Sequence, residues 1–501
     1  MVFTSQIFLF VFFPACLLAY LLADRLSAVP KLGAVLRKLR LKELILIGFS
    51  LGFYMWAAFD NVFRLLLYIA GIYLLGRWIF HAKKSGTYIY IYNDSNGTES
   101  GAKRFYLSRI PLTIAVCAVV FALVYYNYSN FLIDCWNGLF GDQVGMKSLL
   151  TPLGISFITF SAVSYLVDIY RGHATPGSLI DCALYLSFFP KVISGPIVLW
   201  KDFQPQIGTA GMRLDQGSRG INRIMIGFAK KLILADTFGA CLAQISVDAM
   251  DPITAFGTLV LYMLQIYYDF AGYSDIAIGL SHLLGFGIKE NFNFPYRSKS
   301  ITEFWRRWHI SLGTWFREYL YIPLGGSRRG LHTTLRNLAV VFAVTGIWHG
   351  AGWNYVLWGL INGCFVVGER MLQKNKTYLR IPNAVKYIVT MTVVMLFWQL
   401  FRFQDLSQIG TVFSAMLGKT PAGDILYTWQ YYFDARILTL AAVGILGATV
   451  FGSGKVQEMY RRVVATKAGY LLQEVVLLLL FAVAILFMVN STYSPFIYFQ
   501  Y

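Results

Sequence analysis

The sequence predicts an all-α polytopic membrane protein, with about ten to twelve transmembrane helices and further re-entrant or interfacial helices. Three observations predict it. Of 501 residues, 57% are hydrophobic and only 14% charged, more apolar surface than a soluble chain of this length can hide, whereas lipid accepts it. Apolar runs of spanning length occupy residues 6–23, 44–59, 62–80, 110–127, 149–169, 221–247, 253–283, 387–403, 436–452 and 470–490. The basic residues fall mostly between those runs, as topology signals do.

The first run has no basic flank before it and is too long for a signal-peptide core, so it is expected to stay as the first span. Two further stretches, 179–200 and 337–368, are apolar but interrupted by Gly, Pro, Lys or His. Such elements survive at membrane depth only when buried in protein or lining a cavity. The net charge of +18 would suit a nucleic-acid partner, but its placement in loops argues for lipid headgroups instead. Cys16, Cys117, Cys135, Cys182, Cys241 and Cys364 show no CxxC or CxxxH spacing. Neither a disulfide framework nor a metal site is expected.

The loops set the topology. Arg25, Lys31, Arg37, Lys38, Arg40 and Lys42 crowd the first connection, which places it in the cytoplasm and the N-terminus outside. Nine basic residues against three acidic ones between Lys289 and Arg336 keep that stretch inside. Arg370, Lys374, Lys376, Arg380 and Lys386 do the same for the next loop. Residues 337–368 must then enter the membrane and return to the side they left. The last basic loop, with Lys455, Arg461, Arg462 and Lys467, is also inside, so the final span delivers the terminal "FIYFQY" to the outer face. Residues 82–104 read as one polar insertion of low structure.

Two of the six histidines stand apart. Ser300 with Glu303 three residues on is a capping-box signature, so a helix is expected to start there. Trp305, Trp308, His309, Leu312 and Phe316 then fall on one face at helical spacing, with Arg306, Arg307 and Arg317 on the flanks. That is an amphipathic interfacial helix whose imidazole turns to the apolar, membrane side. His349, in "VTGIWHGAGWNYVLWG", lies near the middle of the 337–368 excursion, with Gly346, Gly350 and Gly352 around it. An ionisable residue there is a functional hypothesis by default, and a neutral imidazole is suited to take a proton from a hydroxyl near pH 7.

The motifs "PLGISFITFSAVSYLVDIYRG", "FFPKVISGPIVLWKDFQPQI", "GFAKKLILAD", "YYDFAGYSDIAIG", "NFNFPYRSKSITEFWRRWHISLGTWFREYLYIPLGG" and "GIWHGAGWNYVLWG" run in order from about residue 149 to 363. With them the chain resembles the membrane-bound O-acyltransferases, and within that family the branch of bacterial alginate O-acetyltransferase membrane subunits. The resemblance implies helices around a central funnel-like tunnel. It makes His349 the catalytic histidine and matches His309 to an upstream histidine that other branches replace with asparagine. Trp305, Arg306, Arg307, Arg317 and Trp348 become candidate substrate-binding residues, the arginines as phosphate contacts. The implied donor is cytoplasmic acetyl-CoA, with no bound cofactor.

The tail resembles a C-terminal motif that recurs in this branch, and also the tail of a small partner in the related D-alanylation system, where a tyrosine carries the acyl group. Tyr498 is the matching position, and Tyr501 is a second tyrosine close by. The chemistry fits a carrier: a phenol (pKa ~10) lies close enough to a thiol (~8.5) for an aryl ester to keep much of a thioester's transfer potential. An aromatic anchor at the outer interface is the simpler alternative.

The implied assignment has four parts: N-terminal spans over 1–148, a catalytic core over 149–368, C-terminal spans over 369–490, and an extracytoplasmic aromatic tail over 491–501. The implied partner is an extracytoplasmic SGNH-type acetyltransferase that modifies an exported polysaccharide at the bacterial plasma membrane. A D-alanyl, lipid or protein acyltransferase of the same superfamily is an alternative. A non-enzymatic transporter would need intramembrane charged pairs or inverted repeats. No repeat is evident, and the basic residues lie mostly in loops.

Overall fold

The computed structural model describes residues 2–57, 59–86, 88–92, 102–149, 151–211, 213–373 and 375–490. The aromatic tail, with Tyr498 and Tyr501, lies outside the described residues. Among those that are described, six helices are long and apolar enough to cross a membrane: Phe8–Leu26, Phe59–Lys84, Arg109–Phe140, Asn383–Arg402, Ala435–Gly452 and Lys467–Asn490. Only 17–33% of each apolar window is buried inside the protein, so most of each helix surface faces outward, as lipid permits. The remaining predicted runs are helical too. They are Leu41–Ala57, Ile155–Arg171, Pro252–Leu283, and Leu214–Phe228 continuing through a π-helical turn at Ala229–Ala235 into Asp236–Ala243.

The described parts of the 82–104 insertion hold more regular structure than its polarity suggests. The helix before it runs on to Lys84, and Tyr88–Tyr92 pairs antiparallel with Ala102–Tyr106. The alternating Tyr and Ile of "YIYIY" have high strand propensity, which the overall polarity of the segment concealed.

The chain folds as two compact units. The first joins 7–217 with 281–288. Its interrupted apolar stretch is a short helix, Leu179–Ser187, opened by a full capping box between Ser178 and Asp181 and braced by Arg40. After Phe188 the chain leaves the helix, and Lys191 is buried with its ammonium on the Ser161 hydroxyl and the Tyr185 ring face.

The second unit joins 3–6 and 218–280 with the described residues from 289 to 490. Buried charges, unannounced by the loop pattern, tie its helices together. Lys231 pairs with Asp236 at 2.5 Å and with Asp269 at 2.6 Å, while Asp275 takes Arg223 at 2.7 Å and Lys230 at 2.6 Å. Charge inside an apolar setting persists when it is matched in this way.

The stretch at 337–368 is a helical hairpin. Leu331–His349 packs antiparallel on Trp353–Leu372, with Gly350 to Gly352 forming the turn. The two helices approach closely at glycine: a Cβ on Gly359 would lie 2.6 Å from the Phe342 carbonyl oxygen and 2.8 Å from the Gly346 Cα. Small residues at such crossings substitute van der Waals contact for the hydrophobic drive that lipid does not supply. Gly359→Val therefore forces the hairpin open and is expected to lower stability by about 1–3 kcal/mol. Thermal unfolding of the protein in detergent checks this, and an unchanged midpoint would count against the close crossing.

Candidate active site

The helix expected from Ser300 through Phe316 is broken at its centre. Ile301–Arg307 is helical, Trp308 is extended, His309 takes the left-handed conformation at φ 46°, and a second helix runs Ile310–Phe316. The cause lies in a neighbouring segment. The Asn293 N–H donates to the Arg307 carbonyl at 2.9 Å, and the Ile310 N–H donates to the Asn291 carbonyl at 2.9 Å. Those are groups that a continuous helix would have used within itself. Half of the capping box forms, with the Glu303 N–H donating to Ser300 Oγ at 3.0 Å; the Glu303 carboxylate turns to the Lys299 N–H instead. The rest of the cap comes from Glu369, which accepts from the N–H groups of Ile301 and Thr302 at 2.6 and 2.8 Å. A carboxylate at a helix N-terminus is favoured by the helix dipole as well as by the hydrogen bonds.

The break moves His309 from the expected membrane-facing stripe into the protein, where only 2% of the residue is exposed. Its Nδ1 lies 3.1 Å from Asn291 Oδ1. The Phe270 ring stands edge-on at 4.7 Å between centroids. Burial, with His349 adding to it, holds this imidazole well below the usual histidine range, so it is neutral near pH 7. Its Nε2 is buried with no hydrogen-bond partner among the described residues.

His309 lies in the wall of a cavity of about 310 Å³ shared with Trp305, Arg306, Leu312, Arg317 and Phe342. Trp305 is set by a hydrogen bond from its Nε1 to Asn362 Oδ1 at 3.2 Å. Arg306 and Arg317 are exposed at the cavity edge. Arg307 is turned to Glu303 at 2.9 Å and to the Asn293 carbonyl at 3.2 Å, and it is not among the cavity walls.

His349 ends the first hairpin helix, half-buried in an aromatic setting: Trp358 at 5.1 Å, Phe401 at 4.9 Å and Trp348 at 4.8 Å between ring centroids. Trp348 also lies 6.5 Å from His309. The two histidines therefore share one neighbour, although neither His349 nor Trp348 lines the cavity itself. Sequence reasoning gave no role to Asn291, Asn362 or Glu369. The first two stand in or beside quoted motifs, which was the available signal. Among the described residues no cluster of His, Cys, Asp and Glu side chains is arranged to hold a metal.

The family model described as the membrane-bound O-acyltransferase family matches residues 88–404. Over the full length of both chains, the sequence is 35% identical to a probable alginate O-acetylase of Pseudomonas putida. It is 36% identical to the probable alginate O-acetylase of Pseudomonas aeruginosa, over 93% of this chain and 84% of that one. A peptidoglycan O-acetyltransferase of Helicobacter pylori is 30% identical over 83% of this chain and 80% of its own. The chain belongs to the membrane-bound O-acyltransferase family and is a multi-pass O-acyltransferase.

Proposed function

We propose that this protein moves acetyl groups from cytoplasmic acetyl-CoA to the outer face of a bacterial plasma membrane, for O-acetylation of an exported or cell-wall polysaccharide. The nature of the relatives supports the acceptor class: alginate in some, peptidoglycan in another. The observation that supports the chemistry most is the pair of histidines, His309 buried and His349 half-buried, joined by Trp348 beside a cavity edged by Arg306 and Arg317. On this reading ten to twelve helices surround a tunnel connecting the two faces, both termini are extracytoplasmic, and residues 149–368 form the catalytic core.

The thioester binds with its phosphates at Arg306 and Arg317. His349, with His309 nearby, takes the proton of the Tyr498 phenol as that oxygen attacks the thioester carbonyl. The C–S bond breaks, and the proton passes to the leaving thiolate. Acetyl-tyrosine and free CoA result. A serine of an extracytoplasmic SGNH-type partner then accepts the acetyl group and passes it to the polysaccharide.

Mass spectrometry of the protein after incubation with acetyl-CoA tests the relay. One acetyl group is expected on the C-terminal peptide, absent in Tyr498→Phe and reduced by about 10²–10⁴-fold in rate in His349→Ala. Acetyl on Tyr501 would move the carrier by three residues. No acetyl-tyrosine, with polysaccharide acetylation intact in Tyr498→Phe, would refute the carrier and leave direct transfer.

The arginines separate by geometry. Arg306→Ala and Arg317→Ala are each expected to raise the apparent KM for acetyl-CoA about tenfold, roughly 1.4 kcal/mol of binding, with kcat little changed. Arg307→Ala, whose guanidinium is engaged by Glu303, should leave KM unaltered in steady-state assays.

A further inference from the structure

We infer that Asn291 is a positioning residue that fixes the tautomer of His309, so that the ring presents a lone pair at Nε2 for a substrate hydroxyl. The inference rests on the acyl-transfer reading for the identity of that hydroxyl, but its geometric part stands alone.

An amide side chain can be placed either way round, and a neutral imidazole can carry its hydrogen on either nitrogen. Here the neighbouring groups bear on both choices. The Ser311 backbone N–H can only donate, and it lies 3.2 Å from Asn291 Oδ1. That atom is therefore the carbonyl oxygen. The Ser311 hydroxyl donates to it as well, at 2.8 Å. At its other end Asn291 Nδ2 donates to Ser274 Oγ at 3.0 Å.

His309 Nδ1 lies 3.1 Å from the same oxygen and 3.4 Å from the Ser311 hydroxyl, whose hydrogen is already directed at that oxygen, so the geometry favours the hydrogen on Nδ1. A neutral ring has one such hydrogen, so Nε2 holds the lone pair. This atom is buried and without a partner among the described residues, on a residue that lines the cavity. A buried acceptor left open implies a donor that arrives with the ligand. A hydroxyl or phenol fits that requirement, whereas a second acceptor does not. The backbone supports the same placement: the Ile310 N–H bond to the Asn291 carbonyl holds His309 in its left-handed conformation.

The charged and titratable groups sharing this site are His349, Arg306, Arg317 and Tyr321, and none of them hydrogen-bonds Asn291 among the described residues. Replacing Asn291 by aspartate keeps an acceptor for His309 Nδ1 and both Ser311 donors, and it adds charge that favours the imidazolium. Replacing it by leucine removes the acceptor.

The test is ¹⁵N NMR of the full chain in detergent with labelled histidine, together with acetyl-transfer kinetics. The wild type is expected to show the Nδ1–H tautomer at the His309 signal, assigned by its loss in His309→Asn. Asn291→Leu should lose about 10–100-fold in kcat with KM for the donor little changed. Asn291→Asp should recover most of that activity, with the acid limb of its pH profile moved about one unit toward higher pH. An Nε2–H tautomer in the wild type overturns the inference, as does an Asn291→Asp profile indistinguishable from wild type. The NMR readout needs no turnover, so the tautomer assignment can succeed or fail separately from the acyl-transfer reading.

Discussion

The candidate site depends on one exchange of backbone hydrogen bonds. The segment from Asn291 to Asn293 takes the Arg307 carbonyl and the Ile310 N–H out of the helix that their own sequence favours. In a broken helix without those external partners each group would lose its hydrogen bond, a cost of about 1 kcal/mol. With external partners available, the chain can turn sharply at Trp308 and His309. That turn carries the imidazole from an outer stripe to an interior position. It also leaves two short helices at a new angle, so that Trp305, Arg306 and Arg317 share a cavity with His309.

The helical hairpin supplies the other half. Its glycine crossing brings the two helices close, and its turn sets His349 among Trp348, Trp358 and Phe401. From the second hairpin helix, Glu369 caps the N-terminus of Ile301–Arg307 and Asn362 orients Trp305. The hairpin and the broken helix are thus held by charge-assisted and neutral hydrogen bonds as well as by aromatic packing. Disturbing the hairpin should disturb both histidines together.

Elsewhere the molecule shows how a mostly apolar chain accommodates charge. The motifs "GFAKKLILAD" and "YYDFAGYSDIAIG" place Lys230, Lys231, Asp236, Asp269 and Asp275 within helices, where the groups neutralise one another across the helix contact. Removing one partner would leave a buried charge uncompensated, which is far costlier than losing the pair. Their role is to hold helices together in a setting where apolar side chains give no preference for protein over lipid.

The sequence by itself determined the membrane class and, among the described residues, helices in the predicted spans and an interruption in the apolar stretch at 337–368; it also singled out two histidines. These follow from apolar run length, loop charge and glycine placement, all of which are local properties. It concealed the ribbon at Tyr88–Tyr92, because the polarity of the insertion outweighed a short alternating pattern. The break at Trp308–His309 was decided by the tertiary structure alone. Helical periodicity across 300–316 is real, but it describes what the segment would do without competitors. The groups that overrule it come from Asn291, 18 residues from His309, and from Asn293, 14 residues from Arg307. Whether a backbone group bonds to its own helix or to another segment depends on which segment folding brings within about 3 Å, and that proximity is a property of the folded chain.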